Sequence, residues 1–414
     1  MWKSTAKGRA RERTAVLVLA FVVLLVATAY GAYSYGRSQS PADLGEKDRE
    51  SLALYAEALD TVRDDYVDRE AIDPEKQTYG AIEGMLDTLG DEGHTRFLTP
   101  EEREENSNSL SGSYVGIGVT LESEDEDIVI DSPLEGSPAA EAGVKTGDVV
   151  VAVDGESVRG EDLSKVVEMV RGPEGTEVEL TVMRGDGERV FDLERAEIER
   201  AVASWALIPG SDVAHVRLTS FSDDSAEKLG QAFEDARAAG ARRFILDLRD
   251  NPGGRLDQAV QIAGDFLQPG SVVYIREDAA GEREKVYAEG GGPPADAPMV
   301  VLVNEKTASS SEILAGALRD NDRATVIGET TFGTGTVLSE FVLRDGSAIL
   351  LGVAEWLTPD GDFIRKTGIV PDEKVSLGED AQPFTPDEAR DLSREEVLER
   401  DAQLRRAFEK LQGQ

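Results

Sequence analysis

The sequence predicts a membrane-anchored α/β protein with a helical N-terminal segment, a small mixed β/α domain, a larger α/β core and a C-terminal helix. Three observations support this fold class. An uncharged run of bilayer length follows a basic N-terminus. Residues 112–198 contain short strands around two small helices, and residues 199–378 alternate strands with longer helices.

Length, charge and cysteine content limit the classes of function. A chain of 414 residues is long enough for several compact units, and 40% apolar residues are enough to build their cores. The net charge of −38 excludes a general nucleic-acid role, because such a surface repels a phosphate backbone. The absence of cysteine excludes disulfides and a cysteine nucleophile. No cluster has the spacing of metal ligands, and we predict no metal and no cofactor.

Residues 1–36 are predicted to form a cytoplasmic basic tail and a transmembrane anchor. No charged residue lies between Thr14 and Gly36, and the basic residues before this run favour the cytoplasmic side. A cleaved signal peptide is the alternative, because Ala27-Thr28-Ala29 could serve as a cleavage site. Three tyrosines near the interface favour the uncleaved anchor (Tyr30, Tyr33 and Tyr35). Both interpretations export residues 37–414, so we predict a single-pass cell-membrane protein with most of the chain extracytoplasmic.

Residues 37–111 are predicted to be a linker followed by a helical segment. The polar residues 37–50 are interpreted as the linker. Two helices follow, because apolar residues recur at steps of three and four in both, and Gly90 offers a left-handed cap to the second. Their apolar positions are Leu52, Tyr55, Leu59, Val62 and Tyr66, and then Ile82, Met85, Leu86 and Leu89. The polar run 101–113 is expected to separate this segment from the next domain.

Residues 112–198 resemble a PDZ domain. The resemblance depends on three strings in order: Gly116-Ile117-Gly118-Val119, Ser137-Pro138-Ala139-Ala140 and Gly147-Asp148-Val149-Val150. Ser137 is predicted to cap a short helix, with proline at its first position. The resemblance implies that the backbone amides of Gly116, Ile117 and Gly118 hold the terminal carboxylate of a peptide that adds a strand to the sheet.

Residues 199–378 are predicted to form a mainly parallel sheet with helical crossovers. Strands are expected near 213–218, 244–248, 272–275, 299–303 and 324–327. Residues 379–414 are predicted to hold one C-terminal helix that starts with a capping box of Ser393 and Glu396. Its apolar stripe consists of Val397, Leu404, Phe408 and Leu411.

Three segments of the core carry candidate chemistry. In residues 245–254 a buried strand runs into the pair Gly253-Gly254, which could turn its amides toward a cavity. In residues 303–313 a strand end leads to three serines at a helix start, where the N–H groups favour a developing oxyanion. The simpler interpretation of each is a structural turn, and one of the serines is expected to cap the helix. The third segment is residues 328–338.

In order, these segments resemble the carboxy-terminal processing (tail-specific) serine peptidases. Four further stretches share the resemblance: 80–86, Thr358-Pro359-Asp360-Gly361, Gly368-Ile369-Val370-Pro371-Asp372 and Asp401-Ala402-Gln403-Leu404. The resemblance implies that Ser309 is the nucleophile. It also implies that the amide of Ser310, with that of Gly253 or Gly254, forms the oxyanion hole.

The same resemblance shows that the general base of the family is missing. Members use a lysine base oriented by a glutamine, and the gapless match places Thr334 and Leu338 at these two positions. A serine hydroxyl needs a neighbour that accepts its proton near neutral pH, and a threonine hydroxyl does not do so. Removal of a base typically lowers the rate by several orders of magnitude.

Four other side chains carry groups that could in principle accept the proton of Ser309. Lys306 lies three residues before Ser309 and stays a candidate, whereas Lys366 is interpreted as a surface charge. His94 is interpreted as structural. His215 lies on a core strand with no obvious carboxylate partner and is expected to be packed or exposed, not a base.

Three functions stay open at this point. One is a serine endopeptidase of the Ser–Lys type that recognises the C-terminal tails of unfolded or exported polypeptides through its PDZ domain and uses an altered base. The second is a non-catalytic pseudopeptidase that captures tails or pairs with an active paralogue. The third is a purely structural assembly protein, such as a homo-oligomer, built through its amphipathic N- and C-terminal helices.

Overall fold

The structure, a computed structural model, describes residues 45–413 except 92–93, 125–126, 135, 186, 291–296, 379–380 and 390–391. The chain divides into two units, Met1–Thr78 and Tyr79–Gln414. The predicted basic tail and anchor at residues 1–36, and most of the predicted linker, lie outside the described residues.

The predicted single-pass membrane localisation is wrong on this structure. Within the described ranges, no helix is both long enough and apolar enough to cross a bilayer. Helix α1 (Glu46–Asp65) has 20 residues, but charged side chains recur along it. The prediction depended on residues 14–36 alone, which are not among the described residues.

The N-terminal segment contains helices α1, α2 (Pro74–Asp87) and α3 (Pro100–Ser111), with strand β1 (Arg96–Leu98) before α3. Helix α1 starts inside the predicted linker. The polar run at 101–113 is helical, not a separator, because Thr99 and Glu102 form a capping box ahead of it. Glu102 N donates to Thr99 Oγ1 at 3.2 Å and Thr99 N donates to Glu102 Oε2 at 2.8 Å.

The next part of the chain is a small antiparallel domain with two short helices. Its elements are β2 (Ser113–Gly116), β3 (Val119–Glu124), β4 (Asp127–Pro133), α4 (Pro138–Ala142), β5 (Val149–Val153), β6 (Glu156–Ser157), α5 (Leu163–Val170), β7 (Glu177–Arg184), β8 (Gly187–Glu194) and β9 (Ala196–Glu199). The main sheet has the order β3-β4-β5-β7-β8, and β2 pairs with β9. Ser137 Oγ accepts from Ala140 N at 3.2 Å, so the predicted cap of α4 is present.

The remaining elements follow in chain order. They are β10 (Ala203–Leu207), β11 (Val213–Leu218), α6 (Ser225–Ala238), β12 (Arg243–Asp247), α7 (Leu256–Phe266), β13 (Val272–Asp278), β14 (Arg283–Tyr287), β15 (Met299–Val303), α8 (Ser310–Asp320), β16 (Thr325–Gly328), β17 (Thr336–Val342), β18 (Ala348–Leu357), β19 (Glu373–Lys374), α9 (Arg394–Arg400) and α10 (Ala402–Gln412).

The predicted parallel sheet is present, with the order β10-β11-β12-β15-β16-β19 and only β10 antiparallel to its neighbour. The strand expected near 272–275 does not belong to it. That strand, β13, pairs antiparallel with β14 and β18 in a second sheet that also contains β1 and β17. This sheet joins segments that are far apart in sequence, which local patterns do not reveal.

The predicted C-terminal helix is two helices. Asp401 interrupts it with φ −135° and ψ 105°, and its side chain caps α10 by accepting from Leu404 N at 2.8 Å. The apolar stripe is correct, since Val397, Leu404 and Leu411 are fully buried with Ile245 and Leu302 of the parallel sheet. The alternate apolar residues of the same strands point to the other face of the sheet. There they form a second core with helices α6, α7 and α8, so helices cover both faces of the sheet.

We expect Leu404→Ala to lower the free energy of unfolding by about 2–5 kcal/mol, because Leu404 is 0% exposed and its removal leaves a cavity. Leu54→Ala is the matched control, since Leu54 is 68% exposed on α1. Chemical denaturation followed by tryptophan fluorescence measures both. Equal effects of the two substitutions would contradict the packing of α10 on the sheet.

Candidate active site and peptide-binding groove

Ser309 lies in the turn between β15 and α8 with a strained backbone. Its φ of 56° and ψ of −122° fall in a region that residues other than glycine rarely adopt. Such a conformation costs about 1–3 kcal/mol and persists where the surroundings hold it in place. The backbone at Ser309 is therefore held by its contacts with two neighbouring loops.

The first neighbour is the turn at 249–254, which follows β12. Ala308 N donates to Asn251 O at 3.0 Å and Ser310 Oγ donates to Gly254 O at 2.9 Å. Gly253 has φ 96°, and a Cβ added there would lie 2.7 Å from the Cβ of Ser309 and 2.9 Å from Ser310 N. Glycine at 253 thus allows the turn to lie directly against the candidate nucleophile.

Two of the predicted oxyanion donors differ in their availability. The N–H of Gly253 donates to the side-chain Oδ1 of Asn251 at 2.9 Å, so it is engaged within the turn. Asn251 is fully buried and is fixed at its other end, where Nδ2 donates to Leu218 O at 2.9 Å. Because the N–H of Gly253 is engaged, the N–H groups of Gly254 and Ser310 are the better candidates for the two donors of the oxyanion hole.

The second neighbour is the loop at 329–335, which is joined to the serine segment by Glu312. This side chain is 0% exposed. Its Oε2 accepts from Ser309 N at 2.9 Å and from Thr334 N at 3.0 Å. Its Oε1 accepts from Gly333 N at 2.8 Å and from the hydroxyl of Thr331. Sequence reasoning missed Glu312, although Ser309-x-x-Glu312 is the spacing of a capping box.

Thr334, the residue predicted to occupy the position of the family lysine, lies beside Ser309. Its Oγ1 accepts from Ser309 N at 3.1 Å, and the residue is 4% exposed. Leu338, the residue predicted to occupy the position of the family glutamine, is on β17 opposite Gly352 and is 37% exposed. The structure thus groups Ser309, Ser310 and Thr334 with the glycine turn, and places Leu338 on the strand that leads away.

The four candidate substitute bases have other contacts. Lys306 is 64% exposed with Nζ 3.9 Å from Asp250 Oδ1. Lys366 is exposed, and its Nζ donates to Gly90 O at 3.2 Å. His215 is not without a carboxylate partner, as the sequence suggested, because its Nε2 lies 2.8 Å from Asp247 Oδ2. The two residues are 32 positions apart, and the pairing of β11 with β12 brings them together.

His94 contacts the start of β17. Its Nδ1 is 2.7 Å from the hydroxyl of Thr336, two residues beyond Thr334. Burial lowers the pKa of His94 below its usual value, against the opposing effect of Asp91, so the ring is neutral at neutral pH. The contact supports the structural interpretation of His94.

The small antiparallel domain presents an open sheet edge. In the described part of the chain β3 pairs only with β4, and α5 packs beside it. Ile117 O accepts from Ala139 N at 3.0 Å, and Gly118 O accepts from Ser137 Oγ at 3.0 Å. Because each trans peptide points its N–H opposite its C=O, the N–H groups that follow these carbonyls point away from α4. Ile117 is 1% exposed, so only its backbone is available to a ligand.

Comparisons with known proteins agree with this geometry. A model described as peptidase family S41 matches residues 212–375, and a PDZ domain model matches residues 129–184. The chain is 35% identical to the carboxy-terminal processing protease CtpA of Bacillus subtilis (strain 168) over 366 residues, which cover 87% of this chain and 78% of that protein. The chain belongs to the carboxy-terminal processing proteases of peptidase family S41.

Two further relatives of this protease family are similar over comparable lengths. A probable CtpA-like serine protease of Staphylococcus haemolyticus (strain JCSC1435) is 36% identical over 362 residues, or 87% of this chain and 72% of that protein. A solved structure, the photosystem II D1 C-terminal processing protease, is 31% identical with a TM-score of 0.46, covering 78% of this chain and 92% of that one. The family and its PDZ domain are confirmed. The predicted domain boundaries at 112–198 and 199–378 stay predictions.

We expect Gly253→Ala to destabilise the chain by several kcal/mol, because the added Cβ meets Ser309 and the backbone at 308–310. Gly270→Ala is the matched control. Gly270 has φ 86° but nothing lies within 4 Å of its added Cβ, so only the left-handed backbone cost of about 1–2 kcal/mol remains. The free energy of unfolding of each variant is compared with that of the native chain. Equal losses in the two variants would contradict the close packing of the turn on Ser309.

Proposed function

We propose that this chain binds the C-terminal tails of unfolded polypeptides through its PDZ domain and cleaves them only weakly at Ser309. The observation that carries the proposal is the environment of Ser309. The side chain of the 329–335 loop that reaches this residue is that of Thr334, whose Oγ1 lies 3.1 Å from Ser309 N. A hydroxyl does not take up a proton near neutral pH, so it does not activate the serine.

Glu312 does not replace the missing base in this proposal. Its two carboxylate oxygens already accept hydrogen bonds from four donors, which are Ser309 N, Thr331 Oγ1, Gly333 N and Thr334 N. A carboxylate with all its near acceptor positions filled has no room for the Ser309 hydroxyl. Its role is to hold the backbone of the site.

A second candidate, a peptidase with an altered base, is favoured by one observation. Ser309 keeps a strained φ of 56° beside a turn that only glycine permits, and such strain is concentrated at functional sites. On this hypothesis a proton acceptor outside the 329–335 loop serves Ser309. His94 and Lys306 are the two side chains to test.

Tail binding is supported by the geometry around β3. An edge strand beside a helix accepts an extended peptide by main-chain hydrogen bonds, and the side chains of Val119, Leu121 and Leu163 at this position are partly buried and apolar. The N–H groups of Gly118 and Val119, which point away from α4, lie at the end of that edge. The ligand chemistry is therefore an extended peptide with an apolar end and a free carboxylate.

We expect Thr334→Lys with Leu338→Gln to raise cleavage of an unfolded protein, and labelling by a serine-directed fluorophosphonate, by about 10²–10⁴-fold over the native chain. The lysine supplies the proton acceptor and the glutamine orients it. Thr334→Met with Leu338→Gln is the matched control, since methionine has similar length and no amine. Ser309→Ala gives the background that the native chain should barely exceed.

Two outcomes of this experiment would count against the proposal. Robust cleavage by the native chain that Ser309→Ala abolishes would mean that another base serves, and Lys306→Ala and His94→Gln would then identify it. An equal rise in the lysine variant and its methionine control would mean that the added amine is not the cause.

We expect a peptide with a free apolar C-terminus to bind at least about tenfold more tightly than the same peptide with an amidated C-terminus. Amidation removes the charge that strengthens hydrogen bonds from the backbone N–H groups of Gly118 and Val119. Isothermal titration with the Ser309→Ala chain measures both affinities without cleavage. Equal affinities would contradict capture of the carboxylate.

A further inference from the structure

The start of helix α10 is joined to the turn at 249–254 by a buried ion pair. Arg249 is 0% exposed and lies two residues beyond β12. Its NH1 donates to Asp401 Oδ2 at 2.7 Å and to Gln403 Oε1 at 3.0 Å. Its Nε and NH2 donate to the carboxylate of Asp247 at 2.9 and 2.7 Å. One guanidinium therefore links the strand end to the C-terminal segment.

The charges at this junction make the link sensitive to substitution. Burial alone would raise the pKa of Asp247, but the Arg249 guanidinium and the hydrogen bond from His215 lower it well below its usual range. The carboxylates of Asp247 and Asp401 in turn keep Arg249 charged despite its burial. Removal of one partner leaves an uncompensated buried charge, which is costly in a site of low dielectric constant.

The same segment also reaches the loop at 329–335. Gln403 Nε2 donates to Val375 O at 2.8 Å and lies 3.4 Å from Glu329 Oε2. Glu329 is the first residue after β16, and its N–H donates to Val303 O at 3.1 Å. The amide of Gln403 thus contacts Arg249 through its oxygen and Glu329 through its nitrogen. Two loops that flank Ser309 converge on one side chain.

The turn at 249–254 has a strained backbone, which needs contacts from neighbouring residues to hold it in place. Asp250, Gly253 and Gly254 have φ values of 58°, 96° and 138°, so three of its residues are at positive φ. Asn304 holds the turn on one side, where its Oδ1 accepts from Asp250 N at 3.0 Å and its Nδ2 donates to Asp250 Oδ1 at 2.9 Å. Arg249 holds it from the face that α10 covers. Strained turns persist only where several contacts fix them.

We propose that Asp401 and Gln403 are positioning residues of the candidate active site: through Arg249 the start of α10 fixes the turn at 249–254, and through Glu329 it fixes the loop at 329–335. The inference deepens the proposed function, because that turn and loop are taken to carry the oxyanion donors and the base position. The C-terminal segment is then part of the working site although it contacts no substrate.

Hydrogen exchange of the full-length chain, resolved by mass spectrometry, tests this proposal without reliance on catalysis. We expect Asp401→Asn to increase exchange of the protected amides at 249–255 at least tenfold. Gln403→Met should increase exchange chiefly at 329–334, where amides donate to Val303, Thr307 and Glu312 in the native chain. Glu409→Gln is the matched control, an amide replacement on the exposed side of α10 that should change neither loop.

Two results would overturn the proposal. One is faster exchange in α10 itself while both loops keep their native rates. The other is equal loosening of the whole parallel sheet by Gln403→Met, which would make the contact one of general stability. If the Asp401→Asn chain does not fold, the exchange rates of the Gln403→Met chain test the proposal, since this variant leaves the pairing of Arg249 with Asp401 intact.

A second readout separates positioning from stability. In the Thr334→Lys, Leu338→Gln chain, addition of Asp401→Asn should lower the rate of fluorophosphonate labelling at least tenfold and leave the affinity for a tail peptide unchanged. An unchanged labelling rate would contradict the positioning role. No labelling of the parent chain at all would count against the proposed function, while the exchange rates would still decide the present inference.

Discussion

The buried carboxylate of Glu312 is the constraint on which the candidate site depends. Removal of a carboxylate from water costs several kcal/mol unless its oxygens find new donors. Here four donors meet it, from Ser309, Thr331, Gly333 and Thr334, and the positive end of α8 adds a favourable field at the third residue of that helix. The group therefore fixes the serine segment and the neighbouring loop as one unit.

This arrangement is compatible with the proposed absence of a lysine base at residue 334. The contact of residue 334 with Glu312 is made by its backbone N–H, so it does not depend on which side chain the residue carries. The threonine hydroxyl adds a contact with Ser309 N and needs no change of the loop. On the proposed function, a threonine at this position leaves the scaffold in place, because the scaffold contacts of residue 334 do not need a lysine side chain.

Local sequence patterns predicted the parts of the fold that depend on local physics. The caps at Ser137 and Ser393, the apolar stripe of the last helices and four of the five strands expected for the parallel sheet agree with the structure. The second sheet was missed because two of its four pairings, β1 with β18 and β13 with β18, join distant segments, such as Arg96 with Leu350. Its register is set by tertiary packing, which no local period records.

The residues of the candidate site also divide into those that sequence motifs predict and those that only the fold brings together. Ser309, Thr334 and the glycine pair were placed by their motifs, and the structure brings them together. Glu312 was overlooked although its capping-box spacing was visible, whereas the partnership of His215 with Asp247 depends on how β11 and β12 pair. Arg249 is similar, since its second partner, Asp401, is 152 residues away. Buried charged residues pair across elements that only the tertiary fold brings together, so local sequence patterns do not predict these pairs.

Family membership and mechanism rest on different amounts of sequence. The 35% identity over 366 residues reflects a scaffold that many positions specify together, so the family is recognisable although most positions differ. Proton transfer from Ser309 depends on a single side chain at the right place, which the scaffold does not specify. The peptide edge at β3 uses backbone groups that residue 334 does not touch. The proposed function therefore treats tail binding and cleavage as separable, and the contacts of Glu312 and Gly253 hold the strained serine whether or not it reacts.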